Sequence, residues 1–67
     1  MIVIVVNGEP AHVETASTVA SLLADRGLAG KRVAVERNGA IVPRSRHAET
    51  PLIESDRLEI VVAVGGG

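Results

Sequence analysis

Cysteine is absent from the chain, and so are phenylalanine, tyrosine and tryptophan. Without thiols there is no disulfide and no thiolate metal site, so 67 residues must hold together by packing alone. Without aromatic rings there are no platforms on which bases could stack. Neither sign of charge is in excess: seven basic and eight acidic residues are interspersed, for a net charge of −1. The basic field that nucleic-acid binding requires is therefore missing. Lysine is nearly absent too, since Lys31 stands alone, which argues against a lysine-linked polymer. A long apolar run is also lacking. The opening MIVIVV spans six residues without a basic flank, so it reads as neither signal peptide nor membrane span and points to a cytoplasmic protein.

What the chain does have is 46% hydrophobic residues drawn from Val, Ile, Leu and Ala. That suffices for a small sheet covered by one helix in a single domain near the lower size limit for autonomous folding. The β-branched run Ile2 to Val6 stops at Asn7-Gly8, the dipeptide that favours a type I′ turn. With those two as the loop, Val6 faces Glu9, Ile4 faces Ala11 and Ile2 faces Val13. Directly opposed residues share a face, which puts Ile2, Ile4, Ala11 and Val13 on the core side. Val3 and Val5 then lie on the other side, beside Pro10 and His12.

Ser17 or Thr18 can cap a short helix whose stripe is Val19, Leu22 and Leu23, and Gly27 suits its left-handed end, with Leu28 folding back. Arg32 to Arg37 reads as a strand with one wet face. A second Asn-Gly, Asn38-Gly39, turns it into Ala40-Ile41-Val42, which Pro43 stops. The polar stretch Arg44 to Glu54 has Leu52 and Ile53 as its expected anchors. Ser55-Asp56 turns the chain into a last strand, Leu58 to Val64, with Asp56 as a turn residue. The element order follows from these residues; a helix crossing one face of a mixed sheet satisfies their burial, and placing the terminal strands adjacent and parallel at its centre follows by analogy. That is an α+β, ubiquitin-like β-grasp domain over residues 1–64, followed by a flexible glycine tail over 65–67.

The residues offer little for catalysis. His12 and His47 read as solvated surface residues. The serines lack a His-carboxylate partner at recognisable spacing. The terminal glycines cannot form a phosphate loop, because no helix follows them. Arg44, Arg46 and His47 make a small positive cluster, read as a solvated loop rather than a partner contact. The chain is thus expected to be no enzyme, with no metal site and no tightly bound cofactor.

Gly65, Gly66 and Gly67 remain. Chain ends fray and are often made of small residues, but a glycine stem of about 10 Å, at ~3.3 to 3.6 Å per extended residue, can also enter a tunnel too narrow for side chains. It would carry a carboxylate able to attack the α-phosphate of ATP and then to pass its acyl group to sulfur. The electrostatics would come from a partner enzyme.

The stretches VAVERNGAIVPR (Val33 to Arg44), HAETPLIESDRLEIV (His47 to Val61), the hairpin NGE (Asn7 to Glu9) and the ending VGGG together resemble the ThiS family of bacterial sulfur carriers in thiamin thiazole synthesis. The resemblance covers essentially the whole chain. It implies that Gly67 is adenylated by a ThiF-like activating enzyme that uses ATP and is converted to a thiocarboxylate. The sulfur would come from cysteine through a persulfide donor and pass to the thiazole synthase ThiG. Gly66 completes the required pair and Gly65 is an additional glycine. The small subunit of molybdopterin synthase shares this chemistry with a different acceptor. A β-grasp binding module of the TGS type with an inert tail, or a protein modifier, are the other readings. If the first and last strands are neighbours, and Leu58, Ile60 and Val62 point inward, Val3, Val5, Val61 and Ala63 should form one apolar docking patch at the root of the tail.

Overall fold

Two Asn-Gly dipeptides set the frame of the sheet. In both, the asparagine and the glycine take positive φ (50° and 84° at Asn7-Gly8, 52° and 87° at Asn38-Gly39), the requirement of a type I′ turn. The computed structural model describes residues 1–63; Val64 and the expected tail, Gly65 to Gly67, lie outside the described residues. The first turn joins β1 (Ile2–Val6) to β2 (Glu9–Val13). Their register pairs Ile2 with Val13, Ile4 with Ala11 and Val6 with Glu9, as a two-residue loop dictates. The second joins β3 (Val33–Arg37) to β4 (Ala40–Ile41). Pro43 ends β4 within two residues, after Val42 has donated to the Val35 carbonyl.

The chain closes with β5 (Arg57–Val62), inserted between the two hairpins to give the strand order β2-β1-β5-β3-β4. It runs parallel to β1 and antiparallel to β3. One helix, α1 (Val19–Asp25), lies against this sheet. The order is that of the β-grasp, with the terminal strands side by side at the centre.

Helix α1 is short and depends on its ends and on burial. Of the two candidate caps, Thr18 takes the role. Its hydroxyl accepts from the Ser21 N–H, and the Ser21 hydroxyl accepts from the Thr18 N–H. At the other end Gly27 adopts φ 74°, its N–H donates to Ala24, and the Leu28 N–H reaches back to Leu23. This left-handed closure satisfies carbonyls that would otherwise be orphaned. The apolar stripe Val19, Leu22 and Leu23 packs on Ile4, Val6, Val13, Val35, Leu58 and Ile60, with Leu52 sealing one side. Ile2 and Ala11 are partly buried against this core, as the hairpin register requires.

One expected anchor, Ile53, and one residue expected to point inward, Val62, depart from this plan. Ile53 is 57% exposed, because it sits in the turn before Asp56 and only its backbone is engaged. Val62 is 40% exposed although it alternates with the buried Leu58 and Ile60. Across the ladder it meets Val33, itself outside the fully buried core. Among the described residues no helix is long and apolar enough to cross a membrane.

Candidate functional site

The last strand is the element that leads to the glycines, and its two ends are fastened differently. At its start the Asp56 carboxylate is almost fully buried and accepts three hydrogen bonds. Oδ2 takes the Ile53 N–H at 2.9 Å and Arg37 Nε at 2.9 Å, while Oδ1 takes Asn38 Nδ2 at 3.0 Å. The Asn38 side-chain oxygen accepts from the Arg57 N–H at 2.9 Å, and the Asn38 N–H donates to the Arg57 carbonyl at 2.7 Å. Burial pushes the Asp56 carboxyl up. The donors Ile53, Arg37 and Asn38, with the Arg37 charge, outweigh it and hold the group below its ordinary 3.8. Asp56 is thus a turn residue, as expected, and also the buried half of an ion pair with the partly exposed Arg37 that the chain pattern does not announce.

Farther along, β1 ends at Val6, which is level with Leu58. The Asn7 N–H still donates to the Leu58 carbonyl at 2.8 Å. Beyond that point the Asn7 carboxamide takes over: its Oδ1 accepts from the Ile60 N–H at 2.7 Å and its Nδ2 donates to the Ile60 carbonyl at 3.1 Å. On the opposite side β3 continues further, through the Val33–Val62 pair to the Ala63 N–H, which donates to the Arg32 carbonyl at 2.9 Å.

This register divides the expected docking patch. Val5 is paired with Arg57, and the Val3 carbonyl accepts from the Ser55 N–H. Val61 lies four residues beyond Arg57, about 13 Å at ~3.3 Å per residue, and is paired with Ala34 on the other side of β5. Because parallel neighbours run the same way and β1 stops at Leu58, Val3 and Val5 sit at the end of β5 remote from Ala63. They are also only half-exposed, whereas Val61 is 62% exposed. Val3, Val5, Val61 and Ala63 therefore form no contiguous patch. Around Val61 and Ala63 the open face carries Ala34 instead, followed by Glu59, which stands directly opposite Glu36, and then by Ile41, opposite Glu36 in turn. Like charges so paired weaken a sheet slightly, and they make this part of the face acidic.

The positive cluster separates as well. Arg44 and Arg46 are exposed on the 3₁₀ segment Arg44–Glu49, but His47 is 7% exposed, against expectation. Its Nε2 lies 3.1 Å from the Val42 carbonyl, an acceptor only, so Nε2 carries the hydrogen. The tight winding of the segment turns one side of it inward, and His47 occupies that side. His12 is exposed on β2, as expected. Gly65, Gly66 and Gly67 lie outside the described residues. The chain pattern gave Asn7, Asn38 and Asp56 as turn residues and missed the tertiary bonds that their side chains make. The signal available for them was an Asn-Gly at the end of two strands and an aspartate just ahead of a third.

Comparison with known proteins extends these observations. The family model described as the ThiS family matches residues 2–67, the three glycines included. The sulfur carrier protein ThiS of Bacillus subtilis is 46% identical over 50 residues, covering 75% of this chain and 76% of that protein. A thiazole synthase of Paramagnetospirillum magneticum is 44% identical over 64 residues. That match takes in 96% of this chain, which spans only about a fifth of the longer protein, 20% of its length. Among solved structures, the thiamine biosynthesis protein ThiS of Geobacter metallireducens superposes with a TM-score of 0.82 at 30% identity, covering 98% of this chain and 100% of that one. With the family model running through the terminal glycines and a solved member superposing over nearly the whole fold, the chain belongs to the ThiS family.

Proposed function

We propose that the chain is a sulfur carrier of thiamine biosynthesis, a protein co-substrate rather than an enzyme. The observation that carries this reading is the family match running from residue 2 through Gly67, so that it includes the glycines as well as the domain. In the proposed cycle the Gly67 carboxylate attacks the α-phosphate of ATP on a ThiF-like activating enzyme, and pyrophosphate leaves. The sulfur of a persulfide donor displaces AMP from the acyl-adenylate, and a thiol cleaves the resulting S–S bond to release the thiocarboxylate. That sulfur is then delivered to a thiazole synthase. ATP is consumed by the partner, and the carrier holds no cofactor of its own. Gly65 and Gly66 give a stem without side chains, able to pass through a narrow channel.

The acceptor is supported by the Paramagnetospirillum magneticum thiazole synthase, which contains a segment similar to nearly the whole of this chain. In this reading the carrier would act in the cytoplasm. Incubation with ATP, the activating enzyme and a persulfide donor should replace one terminal oxygen by sulfur, read by intact mass. Deleting Gly67 should abolish that change and leave the unfolding midpoint where it was. An unmodified wild-type chain under these conditions, or a deletion variant that is still converted, would overturn the reading.

A further inference from the structure

A type I′ turn asks of its first residue only a positive φ, which glycine supplies as readily as asparagine. At Asn7 the carboxamide is superfluous for the turn, yet both its polar atoms are committed to one residue, Ile60, 53 positions away in the chain. They meet the Ile60 N–H and C=O together, as the backbone of a strand residue would. The amide continues the β1 side of the ladder by one pairing after the β1 backbone has turned away. Ile60 is also the last buried side chain of β5, since Val61, Val62 and Ala63 are all exposed.

The direction in which a chain leaves a sheet is set by its last points of attachment. With Asn7 in place, β5 is held from both sides as far as Ile60, and from the β3 side alone through Val62 and Ala63. Without the amide, two-sided attachment would end at Leu58. The strand could then twist about a single ladder over the stretch that carries the glycines. From this geometry we infer that Asn7 is a positioning residue: its carboxamide aims the root of the tail and so reduces the conformational search by which the tail enters a partner's active site. The inference rests on the sulfur-carrier reading only for its kinetic consequence.

Asn7→Gly keeps the turn and removes the clamp, Asn7→Asp keeps the acceptor and loses the donor, and Asn38→Gly removes the same amide at the far end of β5. At a temperature where all are fully folded, Asn7→Gly should speed amide exchange at Ile60 by about threefold to tenfold, the worth of one hydrogen bond. Order parameters of Val61 to Ala63 should fall with it. Its kcat/KM as a substrate for adenylation should drop by a similar factor, about threefold to tenfold, and Asn7→Asp, which sets an oxygen against the Ile60 carbonyl, should fall at least as far. Asn38→Gly should leave the order parameters of Val61 to Ala63 and the kcat/KM at wild-type values although it costs more stability, which a purely structural effect of lost stability would not do. Order parameters at Val61 to Ala63 that do not change in Asn7→Gly would overturn the inference whatever the enzymatic result. An active wild type with equal kinetics in Asn7→Gly and Asn38→Gly would overturn it too. A wild type that is never adenylated would instead overturn the sulfur-carrier reading and leave the exchange and order measurements to decide the role of Asn7.

Discussion

Asn7-Gly8 and Asn38-Gly39 are the same dipeptide in the same turn, with φ values that agree within a few degrees, yet their side chains serve opposite ends of one strand. Asn38 joins a buried charge, donating to Asp56 beside Arg37 and accepting from the Arg57 N–H. Asn7 joins only neutral backbone, at Ile60. The dipeptide decides the turn, and the place of β5 between the two hairpins decides what each amide reaches. A turn motif thus carries a second, tertiary piece of information that becomes visible only once the central strand is in place.

The sharpest way to break this contrast is to remove the charge. Asp56→Ala strips three donors of their acceptor and leaves Arg37, which is only partly exposed, without its counter-ion. It should cost about 3 kcal/mol, measured by denaturant unfolding. For a domain whose whole stability is on the order of 5 kcal/mol, that leaves a substantial unfolded population. A loss under about 1 kcal/mol, the worth of an exposed pair, would mean that the Arg37–Asp56 pair does not hold the start of β5.

Acid should erase the same contribution reversibly. The Asp56 carboxyl is held below its ordinary 3.8 in the folded state, so the stability it adds is complete above that value and is lost as pH falls through the lower, folded one. The stability difference between the wild type and Asp56→Asn should therefore shrink as pH is lowered below about 4. A gap that widened on acidification would reverse the sign of the shift.

Replacing each asparagine by glycine separates the two amides more gently. Asn38→Gly leaves one oxygen of a buried carboxylate without its donor and should cost about 2 kcal/mol, against about 1 kcal/mol for Asn7→Gly. Equal losses would show that the charge at Asp56 adds nothing to the Asn38 amide. The smallest effect on folding is expected on the open face. Val61→Asp, at an exposed strand position, should change stability by no more than about 0.5 kcal/mol. If partners grip the face beside the tail, it should weaken binding to the activating enzyme or the thiazole synthase by ~1 to 3 kcal/mol.

Local chemistry was the legible part. A two-residue Asn-Gly loop admits one register, and the pairing of Ile2 with Val13 follows from it. Thr18, Gly27 and the stripe Val19, Leu22 and Leu23 mark the helix because caps and periodicity act within a few residues. The element order followed from the residues, whereas the adjacency of the first and last strands rested on analogy with the β-grasp arrangement. Their stagger followed from neither, since it depends on where β1 stops against β5, and that stagger separates Val3 and Val5 from Val61 and Ala63. His47 escaped notice because a polar loop gives no sign of which side of its winding is covered. The tertiary bonds of Asp56 escaped because its partners, Arg37 and Asn38, are distant in the chain. The candidate reacting residue, Gly67, was legible as a motif and lies outside the described residues.

The two asparagines also carry a clock. An asparagine followed by glycine is the sequence most open to deamidation, because the unhindered glycine nitrogen can attack the carboxamide carbon, expel ammonia and close a succinimide that hydrolyses to aspartate or isoaspartate. In the native fold both carboxamides are held by hydrogen bonds to β5 and its preceding turn. Each opening of β5 releases them. Conversion of Asn38 would set a second carboxylate against the buried Asp56, and conversion of Asn7 would remove the donor to the Ile60 carbonyl. The bonds that fasten the two ends of β5 are thus the same bonds that deamidation at either turn would remove.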